Sequence, residues 1–486
     1  MKLYSLIKNI NCRVFGNTNI SINGIYHKDT EVKENGLFFC LRGTRVDGKN
    51  YIISAINNGA TAIVTEQEIP NLSNITQIIV KNARETMSLI ACNFYGNPAN
   101  KLKIIGVTGT NGKTTISTLL FNILSNFGKK CALIGTNGIT IEKQKYESTM
   151  TTPDPIELQK YFSIMVKKNI EYVCMEVSAH AIALKKIEGF KFEQVIFTNL
   201  TEDHLDYFKT LDNYFKSKAE LFSLKHSKIA IINIDDVFGK LLLESIKMPL
   251  FTYSINENEK NILTNSTNFI ASNITFNKNE STFILNDNKK IKLPLLGSFN
   301  VSNSLAVIAS LKLLRFSEDL IIHELAKVKP ADGRFNVYNI DNVNVVIDYA
   351  HTPDGLEHVL KTCNVLAKEN KTIAVFGCGG NREQEKRKIM GKIASKYANF
   401  TIITTDNPRF ENREAIAKDI ESGFENKNYK IILDRETAIK NAITMAKAGD
   451  YVLIAGKGSE NYIEENGEKI AYSDYDSIKK IIKQGK

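Results

Sequence analysis

Short apolar runs, each followed by a stretch with helical spacing, set the pattern of the middle of this chain. KIIGV (103–107) is apolar and bounded by polar residues, which predicts a strand buried on both faces. TTISTLLFNILSNFG (114–128) keeps its apolar residues along one side of a predicted helix that closes at Gly128. The runs CALIGT, EYVCMEV, QVIFTNL and KIAIINI follow at intervals. Such alternation predicts an α/β fold: a mostly parallel sheet with helices on both faces. Between 256 and 296 the pattern changes, and TFIL and KKIKLPL flank NDN as in a hairpin. The last third returns to the α/β habit with VNVVIDYAH, TIAVFGCGG, TIITTDNPR, KIILD and DYVLIAGKG. Most of these strands end in polar, Gly-rich or charged residues. Open α/β sheets bind ligands beyond the carboxyl ends of their strands.

Two polar breaks containing Gly and Pro, YGNPANKLK (95–103) and VKPADGRFN (328–336), divide the chain. They predict three domains, about 1–98, 99–330 and 331–486, since 486 residues exceed one ordinary core. A hydrophobic share of 43% and a charged share of 24% describe a soluble globular protein. No apolar run reaches the length of a membrane span, and Lys8 and Asn9 interrupt the N-terminus before a signal-peptide core. The expected compartment is the cytoplasm, with no membrane partner. Seven cysteines lie singly, without a C-x-x-C pair, which argues for buried thiols rather than disulfides or zinc. The net charge of +10 comes from lysines mixed with acids along the chain, not from a basic stripe. Nucleic acid is therefore not the expected partner, although a basic enzyme gains when its substrates are polyanions.

GVTGTNGKTTIS (106–117) joins the first of these strands to its helix. The common phosphate loop, G-x-x-x-x-G-K-[ST], would put glycine at 107, where this chain has Val107 and carries Gly109 instead. The physics is kept. Gly109 and Gly112 let the backbone of Thr110 and Asn111 wrap closely with its N–H groups inward. The helix start at Lys113, Thr114 and Thr115 adds a dipole that favours phosphate. Lys113 can reach the β and γ phosphates, and Thr114 can ligate Mg²⁺. A Gly-rich turn with no ligand is the alternative, and the strand–loop–helix context argues against it.

The metal needs hard oxygen ligands. Glu176 ends an apolar strand, where a carboxylate is costly unless it has a partner, and Ser178 and His180 follow. After the next strand, TNLTEDHLDYF offers Asp203, His204 and Asp206. Either cluster alone reads equally as a helix cap, for which Asp203 is well suited. On adjacent strand ends near the loop, the two predict a metal–phosphate site.

TGTNGKTT, TTPD (151–154), MEVSAH (175–180), TNLTEDHLDYF (198–208), GSFNVSNSLAV (297–307), DGRFN, DYAHTPD, FGCGGNRE and DNPR occur in that order. The chain resembles the Mur ligases along essentially its whole length. It is most similar to the members that add the third residue of the peptidoglycan stem. The loop alone would also fit the related folylpolyglutamate synthetases.

The resemblance implies a small α/β N-terminal domain for the uridine nucleotide, a central phosphate-loop domain and a Rossmann-like C-terminal domain. It implies ATP-dependent addition of meso-diaminopimelate to UDP-N-acetylmuramoyl-L-alanyl-D-glutamate through an acyl phosphate, by a monomer. It implies two Mg²⁺ ions held by Thr114, Glu176, His204 and a carbamylated Lys218. The residues alone read Lys218 as one of three lysines, with Lys209 and Lys216, on a surface-like helix. ATP contacts are implied for Asn300, Asn303, Arg334 and Asp348. Arg334, just past a domain break, would clamp phosphate as the domains close. Contacts to the UDP-linked dipeptide are implied for Thr44, Arg45, Val46, Thr151, Thr152, Ser178 and Lys186. The chain departs from the family at Asp29-Thr30 (usually Ser-Arg), Leu184 and Lys186 (Gln and Arg) and Ser459 (His).

Arg409 closes DNPR (406–409), after Asp406, Asn407 and a turn stiffened by Pro408. Its fork suits a carboxylate, and diaminopimelate has a second carboxylate at its far end where lysine has none. The resemblance pairs DNPR with diaminopimelate and adds Arg382, Gly456 and Glu460, the last for the distal ammonium. Two alternatives stay open. One is a ligase for L-lysine or another amino acid. The other is a phosphate-loop regulatory or motor ATPase without ligase activity, which would usually end the comparable strand in Asp rather than Glu176.

Overall fold

The computed structural model describes residues 1–43, 46–72, 74–148, 150–261 and 268–484. Three large sheets follow one another along the chain. The first has five strands in the spatial order Cys12–Phe15, Thr76–Val80, Ala60–Thr65, Gly36–Phe39 and Gly24–Tyr26. Only Cys12–Phe15 pairs antiparallel within it.

The second sheet has eleven strands. Its parallel centre runs Asn268–Phe276, Leu250–Ser254, Ala230–Asn233, Gln194–Phe197, Lys103–Thr108, Tyr172–Glu176 and Cys131–Gly135. Antiparallel strands flank it on both sides: Ser281–Leu285 with Lys289–Leu293, and Gly138–Ile141 with Gln144–Tyr146. The hairpin read from TFIL-NDN-KKIKLPL is therefore present, but a third strand, Asn268–Phe276, joins it to the parallel sheet. The Asn-rich sequence hid that strand, because the apolar pattern is diluted there.

The continuous apolar runs have a direct packing reason. Successive side chains of a strand face opposite ways. Ile104 packs into a core on one face with Phe162, Phe192 and Phe197, whereas Ile105 packs into the other with Leu120, Ile196 and Leu305. With helices on both faces, Ile104 to Thr108, Tyr172 to Glu176 and Gln194 to Phe197 are all buried, and Lys103 at the start of its strand is exposed.

The third sheet orders Asn336–Ile340, Val343–Asp348, Tyr451–Ala455, Thr372–Phe376, Phe400–Ile403 and Tyr429–Ile431, parallel except for the first pair. A separate ribbon, Tyr462–Glu465 with Glu468–Ala471, lies beyond the end of Tyr451–Ala455 in the chain. Six cysteines are buried and all seven are free thiols. Among the described residues, no helix is long and apolar enough to cross a membrane.

Candidate active site

The helix after the phosphate loop starts at Lys113, with Gly112 at its N-cap. Gly112 has φ +88°, and a Cβ there would lie 2.6 Å from Asn303 Oδ1, so glycine lets the helix Ser298–Leu313 pack against the loop. The loop does not turn all its N–H groups inward, as its sequence suggests. Those of Thr110 and Asn111 donate to the Asn199 carbonyl (2.9 Å) and Asn199 Oδ1 (2.8 Å). The N–H groups of the first helical turn remain as the anion-binding set. Lys113 lies back on the loop, donating to the carbonyls of Gly109 (2.9 Å) and Thr110 (2.8 Å). Burial lowers its ammonium pKa, against the opposing pull of Glu176.

Glu176 is 1% exposed. Its Oε2 accepts from the hydroxyls of Thr114 (3.0 Å) and Thr136 (3.1 Å), and its Oε1 from the Thr136 N–H (3.0 Å). No ammonium or guanidinium lies within ion-pair distance of it among the described residues. Around it gather Thr151, whose hydroxyl is 3.2 Å from that of Thr136, and Thr152, whose hydroxyl donates to the Glu176 carbonyl (3.0 Å). The Ser178 N–H donates to Thr152 Oγ1 (3.1 Å), and Lys186 Nζ donates to the Thr152 carbonyl (3.2 Å). Burial lowers the Lys186 ammonium pKa.

His204 has φ +59° at the N-cap of the short helix Leu205–Phe208, a place the sequence offered to Asp203. Asp203 instead accepts from the His204 N–H (2.9 Å) and sits 3.3 Å from its Nε2. Burial moves the His204 pKa down to about 4, with Asp203 opposing, so the ring is neutral at pH 7. A buried carboxylate without a cation, a hydroxyl and a neutral imidazole form a donor set that fits Mg²⁺.

Lys218 overturns the surface reading: on the helix Leu211–Ala219 it is 1% exposed. Its Nζ donates to the Gly109 carbonyl (2.9 Å) and lies 4.5 Å over the Tyr214 ring. Burial, with the charge of Lys113, holds its amine well below the ordinary lysine range. Lys216 is exposed, and Lys209 caps the preceding helix rather than sharing this one. Burial depends on which side of the helix meets the phosphate loop, and the sequence does not show that.

One cavity of 290 Å³ collects most of the candidates. Its wall includes Thr110 to Thr114, Thr151, Glu176, Ser178 and His204 from one sheet's strand ends. Arg334, Arg382, Asp406, Asn407, Arg409, Gly456 and Glu460 face them from the third sheet and its approach. Contacts join the two sides. Asn111 Nδ2 donates to Asp354 Oδ2 (2.9 Å), and Ser459 donates to Asn137 Oδ1 (2.9 Å). Arg334 donates to Thr114 Oγ1 (3.0 Å) and stacks 4.4 Å over the Tyr349 ring. Arg409 donates from Nε to Glu464 (3.1 Å) and from NH1 to the Gly380 carbonyl (2.7 Å).

A second cavity of 130 Å³ continues past Gly112 and Thr115, between Asn303, Phe299, Arg334, Asp348 and Tyr349. Asp348 is engaged by the N–H groups of Phe335 (2.8 Å) and Ala350 (2.7 Å). Asn300 is off this wall and donates to the Leu296 carbonyl (2.8 Å). Gly109, Thr152, Lys186, Lys218 and Pro408 likewise do not line either cavity. Val46 lines a separate 450 Å³ groove in the first sheet's unit, with His27, Asp29, Thr30, Tyr51 and Arg84. Thr44 and Arg45 lie outside the described residues.

Sequence reading passed over Thr136, Tyr349, His351 and Lys386, all on the main cavity wall. Tyr349 and His351 stand inside DYAHTPD and Lys386 just after GGNRE, so the motifs held the signal although only Asp348 and Arg382 were drawn from them.

Profiles of the Mur ligase family, catalytic domain, the Mur ligase middle domain and the Mur ligase glutamate ligase domain match residues 21–95, 107–311 and 333–458. The chain is 40% identical over 100% of both lengths to UDP-N-acetylmuramoyl-L-alanyl-D-glutamate--2,6-diaminopimelate ligase 1 of Clostridium acetobutylicum. It is 42% identical to the ligase of that name from Clostridioides difficile, over 95% of each chain.

This chain belongs to the Mur ligase family.

A solved structure of a UDP-N-acetylmuramoyl-L-alanyl-D-glutamate--2,6-diaminopimelate ligase superposes with a TM-score of 0.70 at 31% identity, over 100% of this chain and 99% of that one. Within this Mur ligase, the loop, Glu176 and His204 fall in the middle-domain match, and Arg334 to Gly456 in the glutamate ligase match. Glu460 lies just beyond the latter.

Proposed function

We propose that this Mur ligase joins meso-diaminopimelate to UDP-N-acetylmuramoyl-L-alanyl-D-glutamate at the expense of ATP, giving the UDP-linked tripeptide of peptidoglycan synthesis. One observation carries the reading: a single cavity has the phosphate loop with Glu176 and His204 on one wall and Arg409 with Glu460 on the other. The proposed division of labour is residues 1–98 for the uridine nucleotide, 99–330 for ATP and 331–486 for the amino acid. The proposed setting is the cytoplasm, with a monomer as the working form and no nucleic acid or membrane partner.

In this reading the side-chain carboxylate of D-glutamate attacks the γ phosphorus. The bond to ADP breaks, an acyl phosphate forms, and the amine of diaminopimelate displaces inorganic phosphate. The first helical turn and Lys113 hold the phosphates, and Arg334 reaches them from the far side. Thr114, Glu176, His204 and Lys218 would hold Mg²⁺, which supplies charge neutralisation at the phosphate oxygens. Burial favours the neutral amine of Lys218, the form that would add carbon dioxide; the N–C bond would form as the amine loses one proton, turning a neutral group into an anionic carbamate. Thr151, Thr152, Ser178 and Lys186 support the dipeptide end, and Thr44, Arg45 and Val46 the nucleotide. Asn303 and Asp348 border the cavity proposed for the nucleoside of ATP, and Asn300 acts there through Asn303, 3.5 Å away. Arg382, Asp406, Asn407, Arg409, Gly456 and Glu460 support the amino acid. The Asn111–Asp354 and Ser459–Asn137 contacts help close the cavity, which protects the acyl phosphate from water.

The test is a ligation assay with the UDP-linked dipeptide, ATP and either meso-diaminopimelate or L-lysine. Tripeptide with diaminopimelate and far less with lysine is the expected result. Preferred use of lysine would overturn the substrate, and phosphate release indifferent to dipeptide and amino acid would overturn the ligase.

A further inference from the structure

Lys457 is fully buried in the loop AGKGSENY, between the two residues of that motif assigned to the amino-acid pocket. A buried ammonium is costly unless paired, so its partners matter. Nζ donates to Asn407 Oδ1 (3.0 Å) and Glu460 Oε2 (3.2 Å), and lies 3.9 Å from Asp406 Oδ1. Asn407 Oδ1 also accepts from the Glu464 N–H (2.9 Å), and its Nδ2 donates to Glu460 Oε2 (2.9 Å).

This arrangement decides which way the Asn407 amide points. An ammonium and a backbone N–H are donors only. Both meet one end of the amide, so that end is the oxygen, and the NH₂ faces Glu460. One Asn407 hydrogen is left for the cavity that both residues line, together with the other oxygen of Glu460. Tyr349 OH donates to that Oε1 at 3.5 Å.

We infer that Lys457 is a positioning residue for the amino-acid substrate, holding Asn407 and Glu460 in the orientation its distal end meets. The inference rests on the proposed function and deepens it. Without the ammonium, the Asn407 amide is free to turn over, and the carboxylates of Asp406 and Glu460 lose the cation they share.

Lys457→Met and Lys457→Gln in the full-length chain test it, with kcat and the KM of each substrate measured beside a melting curve. For Lys457→Met the KM for meso-diaminopimelate should rise about 30-fold or more, the scale set by removing one partner of a buried charge pair. The KM values for ATP and the UDP-linked dipeptide should stay within about twofold. Lys457→Gln keeps a donor without the charge and should give a smaller rise, about 3- to 10-fold. A folded Lys457→Met enzyme whose diaminopimelate KM is unchanged, or whose kcat alone falls, overturns the inference. Should that variant not fold, an unchanged KM in Lys457→Gln does the same. Wild-type enzyme that forms no tripeptide sinks the functional reading, and this inference with it.

Discussion

Replacing Arg409 with alanine should separate amino-acid binding from ATP chemistry. The guanidinium is held from behind: Nε by Glu464 and NH1 by the Gly380 carbonyl. The ribbon strand Tyr462–Glu465 fixes the backbone too, through the Arg409 N–H to the Glu464 carbonyl at 2.9 Å. The fork is thus pre-set, and its remaining hydrogens are free for a carboxylate. Two charge-assisted bonds to the distal carboxylate of diaminopimelate, at about 1.5 kcal/mol or more each, amount to about 3 kcal/mol. That is roughly a 150-fold fall in kcat/KM for diaminopimelate. The loss is aggravated because Glu464, left without its partner, repels the same carboxylate. The double variant Arg409→Ala/Glu464→Gln should therefore recover part of the activity, about 3-fold. Steady-state ligation with each substrate varied in turn is the assay. The KM for ATP should stay within about twofold. An equal loss for ATP and diaminopimelate, or a double variant worse than the product of its singles, would refute the reasoning.

Lys218→Met should abolish ligation, by about 1,000-fold or more. Wild-type enzyme equilibrated with ¹³C-bicarbonate should show a carbamate carbon resonance that the variant lacks; full activity in the variant would remove Lys218 from the site. Arg435 and Asp474 are both fully buried and paired, Nε to Oδ1 at 2.7 Å, and Arg435 also donates to the carbonyls of Thr405 and Ala455. Arg435→Met leaves a buried carboxylate unpaired and should cost about 3–5 kcal/mol in urea unfolding of the third unit; a midpoint near wild type would show that Asp474 escapes to water. His204 and His351 are lowered by burial from 6.5 to about 4, so the unfolded chain takes up their protons first as pH falls. Their contribution to stability should be flat above about pH 6.5 and decline between 6.5 and 4. Urea midpoints at pH 7.5, 5.5 and 4.5 check this, and a midpoint that rises on acidification would contradict it.

The sequence by itself determined the layered α/β architecture, because a parallel strand covered on both faces has to be apolar along its centre, as IIGV and VIF are within KIIGV and QVIFTNL. It also determined the phosphate loop, because Gly109 and Gly112 occupy backbone conformations that other residues rarely adopt, with φ of +149° and +88°. The strand Asn268–Phe276 was not legible, since the Asn-rich stretch around it lacks a clear period. Nor was the environment of individual lysines. Lys216 and Lys218 are two residues apart on one helix, yet one is exposed and the other buried against the loop. Nothing in AGKGSENY shows that Lys457 is buried, a state set only when its loop folds against Asp406 and Asn407. Tertiary structure alone decided these matters, because burial and charge pairing depend on segments that meet across long separations in the chain. Thr114 finds Arg334 and Asn111 finds Asp354 only when the second and third sheets close on each other. The residues carry the chemistry, and the fold sets which of them share a cavity and in what state of charge.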